Sequence, residues 1–311
     1  RKYEQHLADM CPETHPIQVD EQITAKIDEL KSAEEHIESA TRAAEFLYRR
    51  AHASHLRSEE NKRQIRSEGA IPYLCELLNA KFRDARYQAC SALSELAFRD
   101  ERNSLLIVSV PGSLDSILQL MVSSDMQEDA ALVLSNCAAF SEDAVATMLE
   151  HPGLVAALKV VATSAEPDAK GIAIGAINCL SRFSFATEAL IAENVVGEAL
   201  MPVLAACGEE EELDGVALRA AMAVANLTGL TRECFASSAQ YTAAVATAVQ
   251  ILEGALAGRS WRGIAFTAYS ILFPLRNLAA KRDNREALVA CGLLELATQV
   301  MRGWREVGHN A

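Results

Sequence analysis

The sequence predicts an all-α fold of stacked helical repeats, on the evidence of its composition and an internal period. The 311-residue chain contains 54 Ala, whereas aromatic residues make up 5% and Gly and Pro number 15 and 8. Ala has the highest helix propensity and strands favour β-branched and aromatic side chains, so this composition favours helices. Apolar positions also recur every 41 to 49 residues, a period typical of α-helical solenoids.

The repeat is anchored on glycines, each preceded by one short helix and followed by another. Asn, Ile or Leu, and Gly recur at intervals of four residues in 61–69 and 284–292, and Val145, Leu149 and Gly153 follow the same spacing. At offsets 2, 5, 8 and 9 after Gly69, Gly112, Gly153 and Gly292, all sixteen residues are apolar. Two weaker copies fit if Val195 and Ala243 stand in the glycine position. Glycine suits this chain reversal because it accepts positive φ without steric cost.

A longer third helix follows in each unit and ends in segments such as 92–97 (ALSELA) and 274–279 (PLRNLA). With the segment NKRQIRSEGAIPYLCELL at 61–78, this pattern resembles the armadillo repeat over about residues 59–301. The resemblance implies a right-handed armadillo-type α-solenoid whose third helices line a concave face. It also implies five full repeats and a terminal half repeat within residues 59–311.

Different structures are expected for the residues before and after the repeats. Residues 20–58 read as helices that cap the first repeat, since a solenoid needs capped ends; a short coiled coil is the alternative. Residues 1–19, with Pro12 and Pro16, are expected to form an extended arm. The residues Arg302, Trp304, Arg305 and Glu306 predict a polar cap at the other end.

Composition and motifs argue against several function classes. The net charge of −13 and the pI near 5.1 disfavour nucleic-acid binding, and no apolar run reaches the length of a membrane span. No CxxC pair occurs, and Cys11 with His15 has ligand-like spacing but no second pair. Because no nucleophile, phosphate-loop or metalloprotease motif appears, we expect no enzyme activity, no metal, no cofactor and no small-molecule substrate.

The expected binding positions form a ladder along the third helices. It comprises Glu95, Asn136, Asn226 and Asn277, with Cys179 at the equivalent place in the third unit. The armadillo resemblance implies that a ladder Asn can pair with the backbone of an extended peptide, since an amide both donates and accepts. The alternative is that these amides brace neighbouring units.

The resemblance to nuclear-import receptors does not extend to their Trp positions, four residues before the ladder Asn. Those places hold Leu132, Met222 and Phe273, so binding of a nuclear localisation signal is not expected.

Longer connections in two consecutive repeats mark one edge of the solenoid. One carries the acidic run 209–214, and the other carries Arg259, Trp261 and Arg262. Trp with Arg is the composition of an interface hot spot; the alternatives are a Trp261 folded onto the core and an acidic run that is plain solvated surface.

The resulting function hypothesis is a non-catalytic scaffold or adaptor that binds a partner protein segment along the solenoid. Two alternatives stay open: a permanent structural subunit of a large assembly, and an armadillo-type co-chaperone that promotes nucleotide exchange. A cytoplasmic location is expected, with a mitochondrial or other organellar location, after removal of a targeting peptide, as the alternative.

Overall fold

A computed structural model describes residues 19–33, 36–123, 125–206, 215–229, 238–261, 266 and 268–308. The regular elements of this part of the chain are helices, as the composition predicts. In chain order they are α1 Glu21–Lys31, α2 Ile37–Ala51, α3 Ser58–Ser67, α4 Ala70–Leu77, α5 Arg83–Ala97, α6 Glu101–Ser109, α7 Ser113–Val122, α8 Gln127–Phe140, α9 Glu142–Leu149, α10 Leu154–Ala162, α11 Pro167–Leu180, α12 Ser184–Ala192, α13 Met201–Ala205, α14 Gly215–Leu227, α15 Ser238–Leu256, α16 Ala268–Ala280, α17 Arg285–Ala290 and α18 Leu293–Gly308. A π-helical segment, Val196–Leu200, precedes α13, and a 3₁₀ turn, Arg282–Asn284, precedes α17.

The chain divides into two compact units, Arg1–Leu180 and Ser181–Ala311. The first unit contains three successive repeats, α3 to α5, α6 to α8 and α9 to α11. The third helices α5, α8 and α11 pack side by side, and α2 packs on α5 as the next member of the same row. A continuous apolar core therefore runs along this unit, with Leu74, Leu93, Ile117, Leu134 and Leu158 among its buried side chains.

The turn glycines behave as predicted at three of the four anchors. Gly69, Gly112 and Gly292 have φ of 77°, 77° and 86°, in the left-handed region that favours glycine. Gly153 instead has φ of −90°, so that turn is made without a left-handed residue.

In three repeats, an asparagine at the first helix bonds to the helix before it. Nδ2 of Asn61 donates to the carbonyl O of Arg50 at 2.8 Å, and Nδ2 of Asn284 donates to that of Leu278 at 3.1 Å. Asn103 makes the same bond to Leu96 O at 2.9 Å. The fixed motif misses Asn103 because it lies nine, not eight, residues before Gly112.

Helix α1 covers the outer side of the first repeat. Its Ile23, Ile27 and Leu30 are fully buried. The amide of Gln64 accepts from the backbone N–H of Asp20 at 2.8 Å and donates to the Asp20 carbonyl at 2.9 Å. These contacts satisfy backbone groups at the start of α1 and link it to α3 of the first repeat.

Charged side chains are also buried between repeats of the first unit. Arg66, 2% exposed, donates to both carboxylate oxygens of Asp100 and to Oδ1 of Asn103 at 2.9–3.2 Å. The ammonium of Lys62, also buried, donates to the Phe98 carbonyl at 2.6 Å. Burial lowers the pKa of Lys62, while Glu59, Glu95 and Asp100 oppose that shift.

The second unit departs from the expected repeat at two anchors. Val195 is right-handed, and the positive φ of 51° falls on Asn194 instead. Ala243 lies inside the 19-residue helix α15, so the predicted turn at 243 is wrong. Both anchors are occupied by residues that favour helix over a left-handed turn. The acidic run 209–214 lies outside the described residues.

Three buried cysteines lie among the described residues of the first unit. Cys75, Cys90 and Cys137 are buried, and burial raises the pKa of each thiol, in Cys90 and Cys137 to about 12. They act as small core residues.

The described part of the chain holds no single helix that is long and apolar enough to cross a membrane. Two sharply bent pairs, α6 with α7 and α9 with α10, pass that test by length and composition alone. No group of three or more His, Cys, Asp or Glu side chains is positioned to hold a metal among the described residues. Cys11 and His15 lie outside them.

Candidate functional site

The ladder positions of the first unit lie on neighbouring third helices. Nδ2 of Asn136 donates to the carbonyl O of Ser94 at 2.9 Å, next to Glu95. Oε1 of Glu95 lies 3.9 Å from Nε2 of His52, which directly follows α2. Residues 42 or 43 positions apart therefore meet across neighbouring helices, and the bond from Asn136 reaches the residue next to Glu95.

The ladder asparagines of the second unit bond to one another. Nδ2 of Asn226 donates to Oγ of Ser181 at 2.9 Å, and Nδ2 of Asn277 donates to Oδ1 of Asn226 at 3.1 Å. Oδ1 of Asn277 accepts from the guanidinium of Arg276 at 3.2–3.3 Å. In both side chains, Nδ2 and Oδ1 thus form hydrogen bonds within the chain.

These bonds have a mechanical consequence. Asn136 donates to the third helix α5 and Asn277 to the third helix α14, while Asn226 donates to Ser181, so each of these amides joins residues 42 to 51 positions apart in the chain. At Asn136 the Oδ1 atom accepts no hydrogen bond from the described residues. At Glu95 the Oε2 atom is buried without a hydrogen-bond partner among them. Of the ladder acceptors in the described residues, Oδ1 of Asn136 is thus the one left to meet a donor from outside, since Oε2 of Glu95 is buried.

Two partly exposed apolar side chains accompany these acceptors. Tyr87 on α5 is 39% exposed and Leu132 on α8 is 38% exposed. Glu128, one turn before Leu132, is exposed as well. We call the set Tyr87, Glu95, Glu128, Leu132 and Asn136 the ladder patch. Tyr87 and Glu128 each lie eight residues, about two helical turns, before a ladder position. Counting back two turns from the ladder would have found them in the sequence.

The patch is negatively charged around Glu128, where further carboxylates lie nearby. The pKa of Glu128 is raised, first by burial and then by the nearby carboxylates of Asp168 and Asp129. The pKa of Asp129 is raised by burial, against the opposing charge of Arg83. A cation placed beside Glu128 would relieve this repulsion and lower its pKa.

The positions that hold Trp in nuclear-import receptors do not form aromatic slots in the second unit. Met222 is 4% exposed and packs in the core. The guanidinium of Arg276 lies over the Phe273 ring, 4.3 Å from its centroid. A cation of the chain itself therefore already covers this aromatic face.

The predicted edge loop is described only in part. Arg259 follows the end of α15, where its backbone N–H donates to the Gly254 carbonyl at 2.8 Å and its guanidinium lies 3.8 Å from a carboxylate oxygen of Glu253. Gly258, with φ of 69°, makes the turn. Trp261 is half-buried, and Arg262 lies outside the described residues.

Comparison with known proteins agrees with this fold. Residues 58–98 match the sequence model of the armadillo/β-catenin-like repeat. A crystal structure of an engineered protein from the Northeast Structural Genomics Consortium superposes with a TM-score of 0.60 at 20% identity, covering 83% of this chain and 97% of that one. No curated protein matches the sequence.

Two further similar structures are designed proteins. A designed armadillo repeat protein in complex with the peptide (KR)4 has a TM-score of 0.59 at 16% identity, covering 83% of this chain and 99% of that one. Computationally designed armadillo repeat proteins for modular peptide recognition give 0.58 at 17% identity, with 82% and 99% covered. At these identities the likeness establishes the fold, and the predicted all-α armadillo-type architecture is confirmed.

Proposed function

Because the chain carries an armadillo repeat within an armadillo-type fold, we propose that it is a non-catalytic scaffold that binds a cationic segment of a partner protein. The proposed site is the ladder patch on the third helices of the first unit. The observation that carries the proposal is the combination of an exposed aromatic ring, an exposed leucine and carboxylates on two neighbouring helices.

Each member of the patch suits one part of a Lys- or Arg-containing segment. The face of Tyr87 attracts a cation, and Glu128 supplies the opposite charge. Leu132 offers an apolar surface to the alkyl stem of a long cationic side chain. Oδ1 of Asn136 can accept from a backbone N–H, while its Nδ2 continues to brace Ser94.

The charge of the chain and its fold relatives support the same partner chemistry. The net charge is −13, which favours encounter with cationic segments at low ionic strength. One structural relative of the same architecture is a designed protein seen in complex with (KR)4. That peptide is therefore a suitable first probe.

The test is the affinity of this protein for a fluorescent (KR)4 peptide, measured by polarisation against an all-Glu peptide of equal length. We expect binding of the cationic peptide alone, weakening with salt. Glu128→Gln and Tyr87→Ala should each weaken it about tenfold, equivalent to about 1.4 kcal/mol. The matched control is Glu142→Gln, which should bind like the unaltered protein. Glu142 is an exposed residue on α9, the first helix of the third repeat, outside the ladder patch.

Two results would refute the proposal. One is equal affinity for the cationic and the acidic peptides. The other is unchanged (KR)4 binding in Glu128→Gln and Tyr87→Ala, which would place any binding elsewhere on the acidic surface.

The edge loop is proposed as a second contact for the same partner. Arg259 and Trp261 have the residue types enriched in interface hot spots. Replacing both with Ala should weaken capture of a natural partner while leaving (KR)4 binding unchanged. Capture that is indifferent to the double replacement would remove the loop from the interface.

A further inference from the structure

Three carboxylates lie close together where the chain enters α8. Asp125 lies two residues before this helix, and Glu128 and Asp129 belong to its first turn. Asp125 and Glu128 are exposed, and Asp129 is half-buried. The start of a helix favours negative charge, so all three suit this place. They differ in which cations of the chain they meet.

Two arginines from the first turn of α5 contact Asp125. Nη2 of Arg86 donates to Oδ2 of Asp125 at 3.2 Å, while its Nη1 donates to the carbonyls of Ala80 and Lys81 at 3.0–3.1 Å. Nη2 of Arg83 donates to the Asp125 carbonyl at 3.0 Å, and its Nε lies 3.8 Å from Oδ2. Arg86 is thus fixed at two connections between helices, whereas the side chain of Arg83 is 58% exposed.

The positive charge of Arg83 also acts on Asp129. It lowers the pKa of this carboxyl, against the larger upward effect of burial. At Glu128 no cation opposes the upward effects of burial, Asp168 and Asp129 on the pKa, and no ion pair with Glu128 is present in the described part of the chain. The arginines therefore compensate two of the three carboxylates and leave the third to a cation from outside.

Arg83 also lies beside the ladder patch. It precedes Tyr87 on α5 by four residues, so the two side chains share one face of the helix. A partner cation bound at Tyr87 and Glu128 is therefore close to the guanidinium of Arg83. At this distance Arg83 repels a further cation and offsets the attraction of Asp129, while Glu128 keeps its charge.

We propose that Arg83 is a specificity-determining residue of the ladder patch, which directs a partner cation to Glu128 by neutralising the neighbouring Asp125 and Asp129. This inference rests on the proposed function of the patch. The partner chemistry that follows is a segment with a single Lys or Arg at this point, because a second, adjacent cation would meet Arg83 instead of a carboxylate. Loss of the Arg83 charge should consequently strengthen the binding of a continuous basic peptide.

The experiment compares variants of the full chain for binding of fluorescent (KR)4 at low salt, by polarisation. Arg83→Gln keeps a donor for the Asp125 carbonyl but removes the charge, and it should bind (KR)4 about fourfold more tightly, as expected for one unit charge near a surface. For (SR)4, which has no adjacent cations, the gain should be at most about twofold. Arg83→Lys keeps the charge and should bind like the unaltered protein.

The matched control is Arg63→Gln, which makes the same change of net charge on α3, outside the patch. Its affinity should change by less than about 1.5-fold, since distant charges are screened. Circular dichroism should show the same helix content and melting temperature for all of these variants.

Two further measurements test the role of Asp129. Adding Asp129→Asn to Arg83→Gln should remove the gain, because the carboxylate released by the first substitution is then absent. In the unaltered protein, NMR titration of the carboxyl groups should show that (KR)4 lowers the pKa of Glu128 more than that of Asp129. The second measurement needs no substitution, so it tests the proposal independently of the stability of any variant.

Several results would overturn the proposal. Equal or weaker binding by Arg83→Gln does so, as does an equal gain in Arg63→Gln, which would reveal an effect of net charge alone. An equal gain for both peptides, a gain that survives Asp129→Asn, or a larger pKa change at Asp129 than at Glu128 also contradicts it. Failure of the proposed function has a different signature: the unaltered protein does not bind (KR)4, or Glu128→Gln binds it equally well, and the inference then falls with it.

Discussion

Arg66 is a charged residue that lies almost completely buried. It lies 2% exposed between the first helices of two repeats, and its charge is answered by Asp100, which also caps α6 by accepting from the Asn103 N–H. A buried ion pair is a weak source of net stability, but removing one partner leaves the other charge unpaired. Replacement of Arg66 alone is therefore expected to lower the stability of the protein.

We predict that Arg66→Met lowers the free energy of unfolding by about 3–5 kcal/mol. The reason is that Asp100 and Oδ1 of Asn103 lose their donor in a water-poor site. Arg63→Met on the same helix is the matched control, since Arg63 is half-buried and only its Nε contacts a backbone carbonyl, at 3.4 Å; it should cost less than about 1 kcal/mol. Urea unfolding measures both. Equal costs would show that Asp100 finds another partner.

For the asparagines, the sequence predicts the repeated positions but not the hydrogen-bond partners. The spacing around Asn61 and Asn284 identifies a repeated polar position but not its partner, because the accepting carbonyl belongs to the previous helix. In the first unit, the ladder positions Glu95 and Asn136 lie on the neighbouring helices α5 and α8. Which amide atoms are already used within the chain depends on distances between helices, as in the bond from Asn277 to Asn226, and no sequence pattern contains those distances.

At the scale of the element, the glycines in the turns between first and second helices differ in backbone conformation. Gly112 has φ of 77° and open space where a Cβ would lie. Gly153 has φ of −90°, and a Cβ there would lie 3.3 Å from Cε1 of His151. The His151 ring is held by Asp115, at 3.1 Å, and by the Gly153 N–H.

We predict that Gly112→Ala costs about 1–2 kcal/mol in unfolding free energy, because a Cβ strains the left-handed backbone even with free space around it. Gly153→Ala should change stability by less than about 0.5 kcal/mol, since its backbone suits Ala and a small shift of the His151 ring makes room. Thermal unfolding of the two variants side by side checks this. A larger cost at Gly153 would mean that the ring cannot move.

Helix geometry also explains why the sequence period does not predict the turns of the second unit at Val195 and Ala243. The apolar offsets after Val195 and Ala243 fit the repeat, yet those offsets describe one face of any helix of the same length. Only a residue that accepts positive φ can mark the reversal, and in the fourth repeat Asn194 does so. At Ala243 no such residue is near, and α15 runs through the expected turn.

At the scale of the whole molecule, the net charge of −13 favours cationic partners. Protonation of Glu128 makes part of this charge depend on pH. Its raised pKa means that, on acidification, Glu128 takes up a proton at a higher pH than an ordinary carboxyl. The folded state disfavours this carboxylate relative to the unfolded chain, so its contribution opposes folding at neutral pH and is relieved as pH falls through the raised pKa.

On acidification from neutral pH, affinity for a cationic segment should therefore decline at a higher pH than an ordinary Glu would cause, because the protonated side chain no longer attracts the cation. Glu128→Gln should bind more weakly at pH 7 and show a flatter profile on acidification. Titration of (KR)4 affinity against pH measures both. Parallel profiles for the two proteins would assign the pH dependence to other carboxylates.

The three buried cysteines of the first unit allow its opening to be followed without any added label. Cys75 lies on a second helix, whereas Cys90 and Cys137 lie on third helices of successive repeats, and their raised pKa values keep all three as unreactive thiols in the native state. Alkylation at these sites requires exposure of the core. Pulsed thiol modification read by peptide mass spectrometry would thus report, repeat by repeat, whether the stack comes apart at one end first or all at once.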